Sequence, residues 1–113
     1  MPGTGRVRMV LGDAFQRGED MPKYLIERTV PGAGQMSAEA LAAIAGKSND
    51  VLRELGPGVQ WVHSYVADDT ITCVYIADDA DVIHEHGRCG GFPVDSVREV
   101  RTVIDPTTAE RAR

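Results

Sequence analysis

An α+β domain with the element order β-α-β-β-α-β is predicted by three features of this 113-residue chain. Leu41, Ile44, Ala45, Ser48, Leu52 and Leu55 recur at helical spacing and form one apolar stripe. Val59 to Ile76 holds two β-rich runs around a short acidic turn. Shorter strand-like runs stand before the helix, at Lys23 to Thr29, and near the end, at Asp95 to Ile104.

The first strand is built on Tyr24, Leu25 and Ile26, and Pro31-Gly32-Ala33-Gly34 loops out of it. Ser37 is the expected N-cap of the first helix. Glu39 then lies in the first turn, where the helix dipole favours negative charge. The helix runs to about Leu55, where Gly56-Pro57-Gly58 stops it. In the hairpin, alternation puts Trp61, His63 and Tyr65 on one face and Val62, Ser64 and Val66 on the other. A two-residue turn at Asp68-Asp69 would align His63 with Thr72, Val74 and Ile76. A longer or bulged loop would align it with Ile71, Cys73 and Tyr75. Asp-Asp lacks the glycine that tight hairpin turns prefer, and the small Val62, Ser64 and Val66 suit a helix-packed side, so the longer loop is expected. Asp78 or Asp79 caps a second helix ending near Glu85 or His86. Gly87, Gly90, Gly91 and Pro93 then read as an irregular loop. The last strand follows, closed by Asp105-Pro106.

This order is the split βαβ, ferredoxin-like arrangement. Right-handed crossovers place both helices on one face of a four-stranded antiparallel sheet and leave the other face open. A chain this small is expected to cover an apolar open face with a second copy, giving a homodimer. The expected contact is the face carrying Trp61 and Tyr65, or the edge strand beside it. Residues 21–110 form the domain, and residues 111–113 are a polar tail. Residues 1–20 lack apolar periodicity and read as a disordered tail, with Met21 a candidate start.

Composition narrows the function classes. The net charge is −5 and no Lys/Arg run interleaves with aromatics, which argues against a nucleic-acid partner. No apolar run is long enough to span a bilayer, and no signal-peptide core is visible, so a cytoplasmic location is expected. Two cysteines, Cys73 and Cys89, do not make a disulfide framework and read as reduced thiols. There is no Walker loop, no dinucleotide fingerprint, no nucleophile elbow and no Cys-x-x-Cys.

Several segments carry a family resemblance. They are Met-Pro-Lys-Tyr-Leu-Ile-Glu-Arg at 21–28, Pro31-Gly32-Ala33-Gly34, Leu52-Arg53-Glu54-Leu55-Gly56, Trp61-Val62-His63-Ser64-Tyr65-Val66 and Cys73-Val74-Tyr75-Ile76-Ala77. His86-Gly87-Arg88, Gly90-Gly91-Phe92-Pro93 and Thr102 to Thr108 add to it. The chain resembles, from Met21 to about Glu110, a family of small bacterial proteins largely described as a domain of unknown function. At least one member is described as a nickel-binding, dimeric, ferredoxin-like protein suggested to sequester nickel. The resemblance implies a homodimer that binds Ni(II). It transfers no ligand motif.

The residues themselves leave two function classes open. In the first, His63, His86 and Glu27 are metal ligands, because imidazole and carboxylate suit Ni(II), Zn(II) or Cu(II). In the second, the chain is a dimeric α+β-barrel enzyme, a cofactor-independent oxygenase or isomerase. Its cavity lies between the open face and the second helix, lined by Trp61, His63, Tyr65 and Tyr75, with His63 as general base. Each residue also has a plainer reading. His63 suits a hydrogen-bonded interface position, and His86 suits inward packing beside Ile83. Glu99 and Arg101 suit interstrand ion pairs, and Cys73 suits a small core site. His84, close to Arg88, is expected in solvent and takes no site role.

Overall fold

The computed structural model describes residues 21–111, so the expectation for residues 1–20 lies outside it. Strand β1 spans Lys23–Thr29, a 3-10 turn spans Ala33–Gln35, and helix α1 spans Ala38–Leu55. Strands β2, Val59–Val66, and β3, Thr70–Ala77, form the hairpin. Helix α2 is Ala80–Gly90, strand β4 is Ser96–Glu99, and a short helix α3 is Thr108–Arg111. The four strands form one antiparallel sheet in the order β2-β3-β1-β4, consistent with a ferredoxin-like domain.

Local chemistry explains the helix ends. The Ser37 hydroxyl accepts the Ala40 amide at 3.1 Å, and the Asp79 carboxylate accepts the Val82 amide at 3.0 Å. Each cap satisfies an amide that the first helical turn leaves open. The sheet alternates strictly in β1, where Tyr24, Ile26 and Arg28 are buried while Lys23 and Thr29 are exposed. Ile71, Cys73, Tyr75 and Ala77 of β3 join them on the same face. Ile83 of α2 closes over this layer and, like Ile26, is fully excluded from solvent. Each such isoleucine contributes about 1.5–3 kcal/mol of hydrophobic stabilisation.

The structure corrects three sequence expectations. The first is the hairpin loop, which is the tight two-residue turn: Ala67 donates to the Thr70 carbonyl at 2.9 Å across Asp68-Asp69. The preceding loop holds this turn without a glycine. Val30 and Gly34 donate to the Asp69 and Asp68 carbonyls at 2.9 and 3.0 Å, and the Gly32 amide donates to the Asp69 carboxylate at 2.9 Å. Gly34 permits the approach, because a Cβ there would stand 3.0 Å from the Ala67 oxygen.

Second, α2 continues four residues past His86. Its glycines are packing positions rather than loop residues. A Cβ at Gly90 would lie 2.2 Å from the Phe92 ring, and one at Gly87 would lie 2.7 Å from a Val94 methyl. The chain reverses at Gly91, in the left-handed region with φ 71°, and Phe92 to Val94 folds back against the helix. Third, β4 stops at Glu99 instead of reaching Ile104. Val100 donates to the Lys23 carbonyl at 2.7 Å, and Lys23 is where β1 begins, so no partner strand remains beyond it. Arg101 pairs with Glu99 at 3.6 Å along the chain, not across strands, and Val103 and Ile104 are exposed.

Candidate functional site

The decisive local feature is a β-bulge in β2 between Trp61 and His63. Trp61 pairs with Tyr75, whereas His63 pairs with Val74 and Tyr65 with Thr72. The extra residue, Val62, reverses the alternation, as bulges do, and this one lies in an edge strand, where they are common. Trp61 therefore does not share a face with His63 and Tyr65. Its indole points to the helix side and donates to the Ser64 hydroxyl at 2.9 Å. His63 and Tyr65 stand on the open side, with the imidazole Nε2 and the phenol oxygen 3.0 Å apart and the rings edge to face.

The open face is consequently polar at its β2 edge. His63 heads a row that continues through Val74 and Leu25 to Arg98, and Tyr65 heads the next row, through Thr72 and Glu27 to Ser96. Glu27 shares this face, as expected, and accepts the Thr72 hydroxyl at 3.0 Å. It lies two strands across and two residues along from His63, about 12 Å by ordinary strand geometry. Among the described residues no group of three or more His, Cys, Asp or Glu side chains is placed to hold a metal ion.

His86 lies on the opposite side of the sheet and is 1% exposed. Its Nε2 is 3.0 Å from the Ser48 hydroxyl, and its ring lies between those of Tyr75 and Phe92. Its Nδ1 is buried without a partner. Burial, reinforced by the nearby positive Arg28, lowers its pKa from 6.5 to about 4, so the ring is neutral at pH 7. The structure thus unites His63 with Tyr65 and places Glu27 on their face, but it separates His86 from all three. His84 is exposed, as expected. Cys73 is a buried core residue, and Cys89 is exposed, its thiol pKa raised first by its hydrogen bond to Glu85.

A cavity of about 300 Å³ lies between α1 and the helix-facing side of the sheet. It lies on the opposite side of the sheet from the open-face cavity that one sequence reading expected: Trp61 and Tyr75 line it, but His63 and Tyr65 do not. The proposed general base therefore cannot act there. The sequence reading also missed Arg28, which lines the cavity and is 5% exposed. Its signal was present: Arg28 continues the alternation of Tyr24 and Ile26 toward the core.

Fold and donors together define a small α+β domain, consistent with a ferredoxin-like fold, with an imidazole on the sheet face opposite the cavity. The chain belongs to the SCO4226-like family, described as nickel responsive protein SCO4226-like, whose model matches residues 24–100. Among solved structures it is similar to SCO4226 from Streptomyces coelicolor A3(2), with a TM-score of 0.62 at 15% identity over 73% of this chain and 99% of that one. That likeness concerns the fold. No curated protein matches the chain. No helix among the described residues is long and apolar enough to cross a membrane.

Proposed function

We propose that this chain is a nickel-responsive, homodimeric metal-binding protein that takes Ni(II) on its open sheet face, in nickel sequestration or handling. The family match over residues 24–100 carries this reading. His63 is the imidazole ligand, and Glu27 supplies a carboxylate from the same face. The donor types fit a borderline divalent ion. The described residues of one chain offer too few of them in one place, so further donors, from solvent or a second copy, complete the coordination. His86 is poorly suited to a cation, because Arg28 stands nearby with its own positive charge.

Calorimetric titration with Ni(II) tests the ligand assignment. His63→Ala is expected to weaken binding at least tenfold, Glu27→Gln to weaken it less, and His86→Ala to leave it within twofold. Unchanged binding by His63→Ala would remove the open face from the reading. Tighter Cu(II) binding would not, since most N/O sites show it.

The dimer reading rests on the apolar centre of that face, where Leu25 and Ile76 are only half-buried, and on Tyr65 at 62% exposure. Light scattering is expected to give a dimer mass at micromolar concentration, and a monomer mass for Tyr65→Asp. Trp61, expected on the contact face, turns inward and is not part of it. A monomeric parent chain would refute the dimer.

A further inference from the structure

The cavity beneath α1 encloses a buried charge that the open-face reading does not use. Its walls are mostly apolar, with Leu41, Ile44 and Ile71 among them, and Val66, 43% exposed, is part of its lining. Within this lining is the buried guanidinium of Arg28. Nη1 donates to the Pro93 carbonyl at 2.7 Å, and Nε approaches the Cys73 sulfur at 3.3 Å. Neither acceptor is a carboxylate, and no ion pair among the described residues includes Arg28. The Phe92 ring lies 5.8 Å from its central carbon. A cation held out of water without a counter-charge is costly, and an arriving anion relieves that cost.

Around the guanidinium stand neutral polar groups: the Ser48 hydroxyl, the Tyr75 phenol and His86, whose Nδ1 lacks a partner. Ser48 and Arg28 both act on the Tyr75 hydroxyl, though burial still raises its pKa, so it remains a donor. One fixed positive charge flanked by donors selects a single anionic group, and the planar fork of arginine matches a carboxylate. The apolar walls select an apolar body. The volume equals about ten waters at about 30 Å³ each, which limits the guest to a small molecule. A phosphate ester, doubly charged and strongly hydrated, suits these walls poorly.

We propose that the cavity between α1 and the sheet binds a small monocarboxylate, its carboxylate on Arg28 and its apolar body against the α1 stripe. Trp61, the single tryptophan of the chain, lines the cavity and reports occupancy. The test titrates octanoate, and separately the neutral octanamide, into the intact protein while following Trp61 fluorescence. Octanoate is expected to bind at one site per chain, at least tenfold tighter than octanamide. Arg28→Gln is expected to abolish that preference, and Ala45→Leu to weaken both ligands by narrowing the cavity. The comparison of the two ligands on the parent protein stands even if Arg28→Gln does not fold. Equal affinity for acid and amide, or no fluorescence response to millimolar octanoate, would overturn the proposal and leave Arg28 as a brace for the Pro93 carbonyl.

Discussion

Replacing Tyr75 by alanine is expected to lower stability by about 3–5 kcal/mol, the usual cost of deleting a buried aromatic side chain. Tyr75 is 2% exposed, at the centre of the β3 row, with the His86 ring 5.4 Å away. Tyr75 both lines the cavity and belongs to the core cluster that holds Ile83, so truncation would enlarge the void at the core. A domain of this size has about 5–15 kcal/mol in total, and each kcal/mol moves its melting temperature by about 4–8 °C. Thermal unfolding should therefore shift down by more than about 12 °C. Tyr75→Phe keeps the ring and loses only the hydroxyl, so a loss near 1 kcal/mol is expected from it. A Tyr75→Ala protein within about 1 kcal/mol of the parent would show that this ring does not hold the core together.

Acid should destabilise the protein through His86. The folded state holds this histidine near pKa 4, whereas the unfolded chain binds its proton near 6.5. Above pH 6.5 both states are neutral there, and its contribution to stability is fully present. Below 6.5 the unfolded chain takes up a proton that the folded protein refuses. Stability then falls by about 1.4 kcal/mol per pH unit until the folded ring also protonates near pH 4. The loss across that window is about 3 kcal/mol. The charge environment explains the sign: the ring is desolvated, Arg28 repels its proton, and only the contact with Ser48 favours it. Urea unfolding of the parent and of His86→Gln from pH 7 to pH 4 checks this. The variant starts less stable, but its curve is expected to be flatter by about 3 kcal/mol over the window. Parallel curves would contradict it.

The elements that depend on short-range chemistry were legible in the sequence. The Ser37 cap, the Gly56 stop, the apolar stripe of α1 and the limits of β1 follow from residues within one or two turns of each other. What was not legible depends on contacts distant along the chain. Gly87 and Gly90 resemble loop residues until Phe92 and Val94 are seen packing where their side chains would be. The length of β4 is set by where β1 begins, far earlier in the sequence.

The candidate site was harder to read for the same reason. Strict alternation groups Trp61 with His63 and Tyr65, and only the bulge at Val62 separates them. The Asp68-Asp69 turn is tight because the Val30–Gly34 segment supplies its hydrogen bonds. The turn decides which side of the sheet His63 occupies and the bulge decides that Trp61 faces the other way, and neither carries a glycine signal at its own position. Glu27 was placed on the open face by simple alternation, because β1 is regular. The burial of His86 required Ser48, Tyr75 and Phe92 to come together from three separate elements.

Nickel on the open face is tested most directly by its paramagnetic effect on the two-dimensional amide spectrum. Substoichiometric Ni(II) is expected to broaden the amide signals of His63, Tyr65 and Thr72 first, while Ser48, His86 and Phe92 stay sharp. Early loss of the signals around His86, with those of β2 intact, would place the ion beneath the helices and contradict the assignment to His63.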